Sequence, residues 1–214
     1  MTSLAAADAK DSLEKMTRDP IASTLRFYEI HAKEYFDRTV SADLSHLYDR
    51  FLSCVRAEGR ILDAGCGSGR DLRNFRERGF DVVGIDASSA LIKLAQEYSG
   101  APCYTVRLED IVYKRSFDGI WACASLLHLP KLVLAPVLRR IQEALVPGGV
   151  MFASVQMGEG ETLTPDGRFY VYYQHEEFLR FIEEADFDIE DSWVSEDSLP
   201  GRSTIRWINV LARK

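Results

Sequence analysis

The sequence predicts an α/β fold built on a mostly parallel sheet with helices on both faces. Three observations carry this. From about residue 60 to 155, short and nearly continuous apolar runs alternate with helix-period segments, the pattern of strands buried on both sides. Glycines close several of those helical segments, as left-handed C-terminal residues do. The last two strand-like runs, Phe187–Val194 and Trp207–Ala212, have no helical segment between them, which makes them most simply an antiparallel hairpin at one edge.

The elements follow in order. The first 20 residues are Ala-rich and polar, read as loose or weakly helical, and lack the apolar stretch of a signal peptide. Helical spacing runs over Ile21–Arg38. It resumes over Ala42–Ala57, with Leu44, Leu47, Phe51 and Val55 on one face and Gly59 as the stop. Arg60–Ala64 is the first strand, followed by a glycine-rich turn and a helix, Asp71–Gly79, that turns Leu72 and Phe75 inward. Asp81–Asp86 is the second strand. Ser88 caps a helix carrying Leu91, Leu94, Ala95 and Tyr98, which Gly100 ends. Cys103–Leu108 and Phe117–Ala124 are the third and fourth strands. Pro136 opens the next helix, where its missing N–H is not needed, and that helix buries Val137, Leu138, Ile141 and Leu145. Pro147-Gly148-Gly149 turns into the fifth strand, Val150–Val155. A helix over Gln174–Ala185 precedes the final pair.

A length of 214 residues suits one domain. The net charge of −7 is local: Glu176 to Asp197 holds ten acidic residues against Arg180, so the remainder is nearly neutral and net charge alone does not exclude nucleic acid. Arg70, Arg73, Arg76 and Arg78 share one short helix with Asp71 and Glu77, a pattern that reads as a solvated face. No apolar run approaches the ~20 residues that cross a bilayer. The four cysteines form no CxxC pair, so no zinc site, no other metal site and no disulfide framework is expected, and a cytoplasmic location is.

The chemistry concentrates in Ile61–Arg70, ILDAGCGSGR, where a strand runs into Gly65, Gly67 and Gly69 and then a helix. Without Cβ atoms the chain can turn sharply and let a ligand lie against its backbone. Asp86 ends the second strand, where a carboxylate can accept hydrogen bonds from ribose hydroxyls. Arg70 stands where the dinucleotide fingerprint GxGxxG needs glycine, and there is no phosphate-loop GxxxxGK[ST]. Asp63 at the mouth of the loop repels a pyrophosphate and suits a ligand with an amino group or a positive charge.

ILDAGCGSG resembles motif I of the class I S-adenosylmethionine-dependent methyltransferases. GIDAS, LEDI, FDGIWACASLLHLP and LVPGGVMFAS resemble the family's later segments, in the family's order, from about Ile61 to Val155. FYEIHAKEYFDRT resembles the helical lid of small-molecule members, among them the tellurite-resistance-like group. The resemblance implies a Rossmann-like three-layer sandwich with a seven-stranded sheet in the order 3-2-1-4-5-7-6, strand 7 antiparallel. It also implies one domain over residues 1–214, with a lid over 1–58 and the core over 59–214. The implied activity is methyl transfer from S-adenosylmethionine to a small-molecule acceptor by in-line displacement; a metalloid oxyanion such as tellurite is one case. A protein or RNA methyltransferase and a non-catalytic cofactor-binding module are the alternatives. Nucleic acid is disfavoured because Ala124-Ser125-Leu126-Leu127 stands where base-flipping members carry Asp/Asn-Pro-Pro-aromatic. A monomer or homodimer is expected, with no membrane association.

The cofactor contacts expected on this basis are Asp63, Gly65, Gly67, Asp86, Ala87 and Ala124, with Asp110 favoured over adjacent Glu109 for the adenine amine and Ile111 packing on its face. Gly69 is read as a helix-packing glycine, and Cys66 as a small side chain in the loop. Tyr28, Tyr35 and Thr39 on the lid either close over the sulfonium, the rings by cation–π attraction, or pack on the sheet. His128 is the candidate general base, titrating near neutrality; the competing reading is a histidine that hydrogen-bonds its loop. Arg168, Tyr170, Tyr172 and Arg202 lie in the loops expected to meet the substrate, with Arg202 the candidate for an acidic or polar group.

Overall fold

The computed structural model describes residues 19–199 and 201–214; the reading of the first 20 residues falls almost wholly outside them. Asp19 caps the first helix, its carboxylate accepting from the Ile21 amide at 3.0 Å, and Pro20 occupies the first turn. The expected Ile21–Arg38 helix is two: α1 (Pro20–Ile30) and α2 (Ala32–Thr39), broken at His31, whose φ is −107°. Apolar periodicity continues across a one-residue bend and does not reveal it. After α3 (Ser45–Cys54) come β1 (Arg60–Ala64), α4 (Arg70–Glu77), β2 (Asp81–Asp86) and α5 (Ser89–Ser99). Ser88 caps α5, its hydroxyl accepting from the Leu91 amide at 3.2 Å. Gly100 ends it in the left-handed conformation.

β3 (Cys103–Thr105) is three residues shorter than expected and gives way to a tight 3-10 turn at Leu108–Asp110. β4 (Phe117–Cys123) leads to a second such turn at Leu126–His128. α6 (Lys131–Ala144) starts behind Pro130, not at Pro136, which lies inside the helix. One turn already exists before Pro136, so the proline interrupts one amide bond without setting the start. Pro147–Gly149 is not a turn before the next strand. It is a bulge within β5 (Leu145–Gln156), where the register against β4 shifts between Phe117 and Gly119. The hairpin of β6 (Glu161–Leu163) and β7 (Phe169–Val171) was not expected, although Thr164-Pro165-Asp166-Gly167 between its strands is a turn sequence. α7 (His175–Glu183), β8 (Asp188–Glu196) and β9 (Arg206–Arg213) complete the chain.

The main sheet runs β3-β2-β1-β4-β5-β9-β8, with β9 antiparallel to both neighbours. Counted within this sheet, β8 and β9 are its sixth and seventh strands, so the order is the expected 3-2-1-4-5-7-6. A larger apolar core, with Leu62, Ile85, Ile120 and Met151, lies on one face beneath α6 and α7. A smaller one, with Phe51, Phe75, Trp121 and Phe152, lies on the other beneath α3, α4 and α5.

Arg70 is not on a solvated face. It lies largely buried, with its Nε 2.6 Å and its Nη2 3.0 Å from the Asp71 carboxylate. That carboxylate also accepts from the Tyr48 hydroxyl at 2.5 Å and the Trp121 indole at 2.9 Å. Burial acts to raise the Asp71 pKa; Arg70 and the two neutral donors outweigh it and hold it below the ordinary value. Arg70 Nη1 reaches on to the Thr39 carbonyl at 3.3 Å, tying the end of α2 to the start of α4.

A divided cleft at the carboxyl ends of the strands

Two connected chambers open above the carboxyl ends of β1, β2, β4 and β5, where open α/β sheets bind ligands. Tyr28, Tyr35, Gly65, Gly67, Cys123, Ala124 and His128 line both. They form the wall between a β2–β3 chamber and a β5–β9 chamber.

The glycine loop makes the floor of that wall. Gly65 has φ +94° and Gly67 φ +51°. A Cβ on Gly65 would stand 2.4 Å from Ser125 Cβ, and one on Gly67 3.2 Å from the Tyr35 ring. Both positions therefore exclude a side chain by backbone conformation and by space. Gly69 packs against α5, where a Cβ would come 2.7 Å from Ala95 Cα.

In the β2–β3 chamber, Asp86 holds the turn after β2, with one oxygen accepting from the Gly67 amide at 3.1 Å and the other from the Ser88 amide at 2.9 Å. Burial pushes its pKa up, and these backbone donors oppose the shift. Ala87, Leu108 and Glu109 continue the lining. The expected Asp110 and Ile111 do not: Asp110 points to solvent and Ile111 is buried in the core. Because β3 ends early, the 3-10 turn starts early, and its ~120° advance per residue presents Glu109 in place of Asp110.

Asp63 is buried under the glycine loop and lines neither chamber. Burial, reinforced by the Asp71 charge and opposed by Arg70, pushes its pKa well up, and its Oδ2 has no hydrogen-bond partner.

The aromatic lid residues close the wall. The Tyr28 ring meets Tyr35 edge-on at 5.1 Å and His128 at 5.5 Å. His128 Nδ1 lies 2.6 Å from the Phe169 carbonyl, so it must carry the proton; Nε2, 2.9 Å from the Tyr28 hydroxyl, therefore accepts from it. Burial pushes the His128 pKa down to about 4. The expectation of a base titrating near neutrality is corrected: the ring is neutral, and both nitrogens are used in holding the lid and the β7 strand. Thr39 lines only the β5–β9 chamber, and its hydroxyl is spent on the Tyr35 carbonyl at 2.8 Å.

The β5–β9 chamber receives Arg168, Tyr170 and Arg202 as expected. Tyr172 stacks behind Tyr170, at 6.3 Å, and packs on Gly158 instead of lining the chamber. The sequence reading did not find Arg38, Gln156, Trp207 and Asn209, which also line it. Asn209 carried a signal, since it is a lone amide in the apolar run Trp207–Ala212.

α1 is fastened over the cleft at both ends. Thr24 accepts from the Phe169 amide at 2.8 Å and Ser23 donates to the Gly167 carbonyl at 2.7 Å. Glu29 accepts from the Ser89 amide at 2.5 Å, which places its charge at the N-terminus of α5. Among the described residues no cluster of metal-ligating side chains exists, and no helix is long and apolar enough to cross a membrane.

A family model described as a methyltransferase domain matches residues 36–192. An uncharacterized methyltransferase of Staphylococcus carnosus is 24% identical over 170 residues, covering 75% of this chain and 81% of that protein. The malonyl-[acyl-carrier protein] O-methyltransferase of Erwinia pyrifoliae is 33% identical over 102 residues, covering 46% of this chain and only 38% of that enzyme. Among solved structures, the 1,6-didemethyltoxoflavin-N1-methyltransferase of Burkholderia thailandensis, with its substrate and S-adenosylhomocysteine bound, superposes with a TM-score of 0.73 at 22% identity, covering 91% of this chain and 86% of that one.

Proposed function

The chain belongs to the methyltransferase domain family and is an S-adenosylmethionine-dependent methyltransferase, and we propose that it transfers the methyl group to a small-molecule acceptor held in the β5–β9 chamber. The observation that carries this reading is the divided cleft. One chamber has a strand-end carboxylate, Asp86, beside a backbone cradle; the other is lined by side chains from the loops after β5 and between β8 and β9; and the same wall residues line both.

The residues present fit the cofactor. Gly65 and Gly67 line both chambers with backbone alone, and Ser125 and the Tyr35 ring pack where a Cβ would stand. Asp86 presents a carboxylate to ribose hydroxyls, and the unpartnered oxygen of Asp63 beneath the loop is a free polar group at the base of the cradle. When bound, the cofactor supplies an electrophilic methyl group on a good leaving group. The chain's part is to align the acceptor with that group and to exclude water, so proximity and orientation supply most of the acceleration. Tyr28, Tyr35 and His128 shape the passage, and α1 and α2 cover it as a lid.

Calorimetry with S-adenosylhomocysteine, followed by a labelled-methyl screen against metabolite, RNA and protein pools, tests this reading. Binding and label in the small-molecule fraction are the expected results. Label in RNA or protein alone would overturn the acceptor class, and binding without any transfer would favour a cofactor-binding module.

A further inference from the structure

The two chambers differ in charge. The cofactor chamber carries Asp86 and Glu109 against Arg107. The acceptor chamber carries Arg38, Arg70, Arg168 and Arg202 against Asp71, Glu196 and Asp197.

Each of these three carboxylates is already committed. Asp71 is paired with Arg70. Glu196 lies 2.8 Å from Arg206. Asp197 accepts from the Leu199 amide at 2.8 Å and the Trp207 indole at 3.0 Å, and meets Arg202 through one contact at 3.3 Å. Among the guanidinium groups, Arg70 is spent on Asp71 and the Thr39 carbonyl, whereas Arg38 and Arg202 keep donors free among the described residues. Arg202 spends a single nitrogen on Asp197. Arg38, at the rim, has no carboxylate partner among the described residues and leans over the Tyr35 ring at 5.7 Å. Arg168 is fixed by the Asp166 fork and by the faces of Phe27 and Tyr170, at 4.5 and 5.4 Å, so its charge is held in place beside the chamber.

The imidazole and the carboxylates that line the chamber are already engaged by other groups. The His128 Nε2 lone pair is occupied by the Tyr28 hydroxyl, and the carboxylates are ion-paired. An acceptor that must lose an N–H or O–H proton on attack is poorly served here. An acceptor that arrives as an anion is served well.

We propose that the methyl acceptor is the carboxylate of a small organic acid, drawn in by Arg38, oriented by Arg168 and Arg202, and released as its methyl ester. This rests on the methyl-transfer reading above. A carboxylate oxygen forms the new O–CH3 bond with its own lone pair, the bonding pair of the broken S–CH3 bond stays on sulfur, and no proton moves. The positive and negative charges cancel, giving a neutral ester and a neutral thioether. A chamber that strips water from both reactants favours such a neutralising step.

The test uses the full chain. Benzoate, phthalate and indole-3-acetate are titrated against their matched amides, with and without S-adenosylhomocysteine. The acids should bind roughly 10-fold or more tighter than the amides, the worth of a charge-assisted hydrogen-bond pair. Arg202→Gln and Arg38→Gln should each shrink that preference while leaving S-adenosylhomocysteine affinity unchanged, which also shows that the variants fold. With methyl-labelled cofactor and a panel of small carboxylic acids, the label should be released as methanol by mild hydroxide. Equal binding of acids and amides, binding of neither, no labelled acid, or label stable to hydroxide would each overturn the proposal. Failure of S-adenosylhomocysteine to bind would instead strike the methyl-transfer reading, whatever the acids do.

Discussion

Replacing Asp71 with asparagine tests how the lid is held. The carboxylate accepts four hydrogen bonds: two from Arg70, one from Tyr48 and one from Trp121. The amide keeps one accepting oxygen and turns a donor toward groups that are themselves donors, while the largely buried Arg70 loses its counter-charge. Removing one member of a buried ion pair costs about 3–5 kcal/mol. For a chain of this size each kcal/mol lowers Tm by about 2–4 °C, so Asp71→Asn should lower it by roughly 6–20 °C. Denaturant titration of Asp71→Asn, Arg70→Met and the double variant measures the coupling. The double variant should be more stable than the sum of the single effects implies, because it leaves no unpaired charge. Since Arg70 also anchors the end of α2, cofactor affinity should fall in Asp71→Asn as well. A loss under about 1 kcal/mol, or single effects that add to within about 0.5 kcal/mol, would refute the account.

Other outcomes follow from the same geometry. Asp86→Ala should weaken S-adenosylhomocysteine binding by about 1–3 kcal/mol in calorimetry, and it frees the Gly67 and Ser88 amides it now holds. Gly67→Ala should weaken binding in calorimetry, because a side chain is strained at φ +51° and its Cβ would press on the Tyr35 ring at 3.2 Å; Gly65→Ala, whose Cβ meets Ser125 Cβ at 2.4 Å, should cost more stability. His128→Asn should leave cofactor affinity unchanged, and under the carboxylate proposal the rate should stay flat with pH near neutrality. The histidine also has a pH signature in folding. Its folded pKa of about 4 lies below the unfolded value, so between the two the unfolded chain binds the proton and the folded one does not. Its contribution is complete above an unfolded value of about 6.5 and is lost as pH falls toward the folded one. Urea midpoints should therefore fall more steeply with acid in the wild type than in His128→Asn.

The parallel core was legible because strand burial, helix caps and glycine stops all write themselves into local sequence. The bounds of β1 and β2, the Ser88 cap and the edge order agree with the sequence reading. What escaped was decided by tertiary context. The one-residue slide from Asp110 to Glu109 followed from where β3 stops pairing with β2, a property of two strands and not one. Arg70 looked solvated because what buries its ion pair is remote in sequence: Tyr48 and Trp121, which donate to Asp71, lie 23 and 50 positions from it, and the Thr39 carbonyl lies 31 positions from Arg70. The β5–β9 chamber was legible only in part: Arg168, Tyr170 and Arg202 were expected there, whereas Arg38, Gln156, Trp207 and Asn209 were not, because their strands and helix meet only in the folded chain.

β9 lies between β5 and β8, pairing with the former from Val150↔Arg213 to Gln156↔Trp207. As the chain emerges from the ribosome, β5 is complete some fifty residues before its neighbour exists. Until then a long, strongly apolar strand presents an open row of amides and carbonyls, the kind of edge that templates aggregation. Only when β9 docks does the edge close, and the same event delivers Trp207 and Asn209 to the acceptor chamber. A nascent chain caught before that step holds an assembled glycine loop and no finished place for the acceptor. If the proposed acceptor site is the β5–β9 chamber, its selectivity waits on β9, and damage to that strand should cost solubility and specificity together.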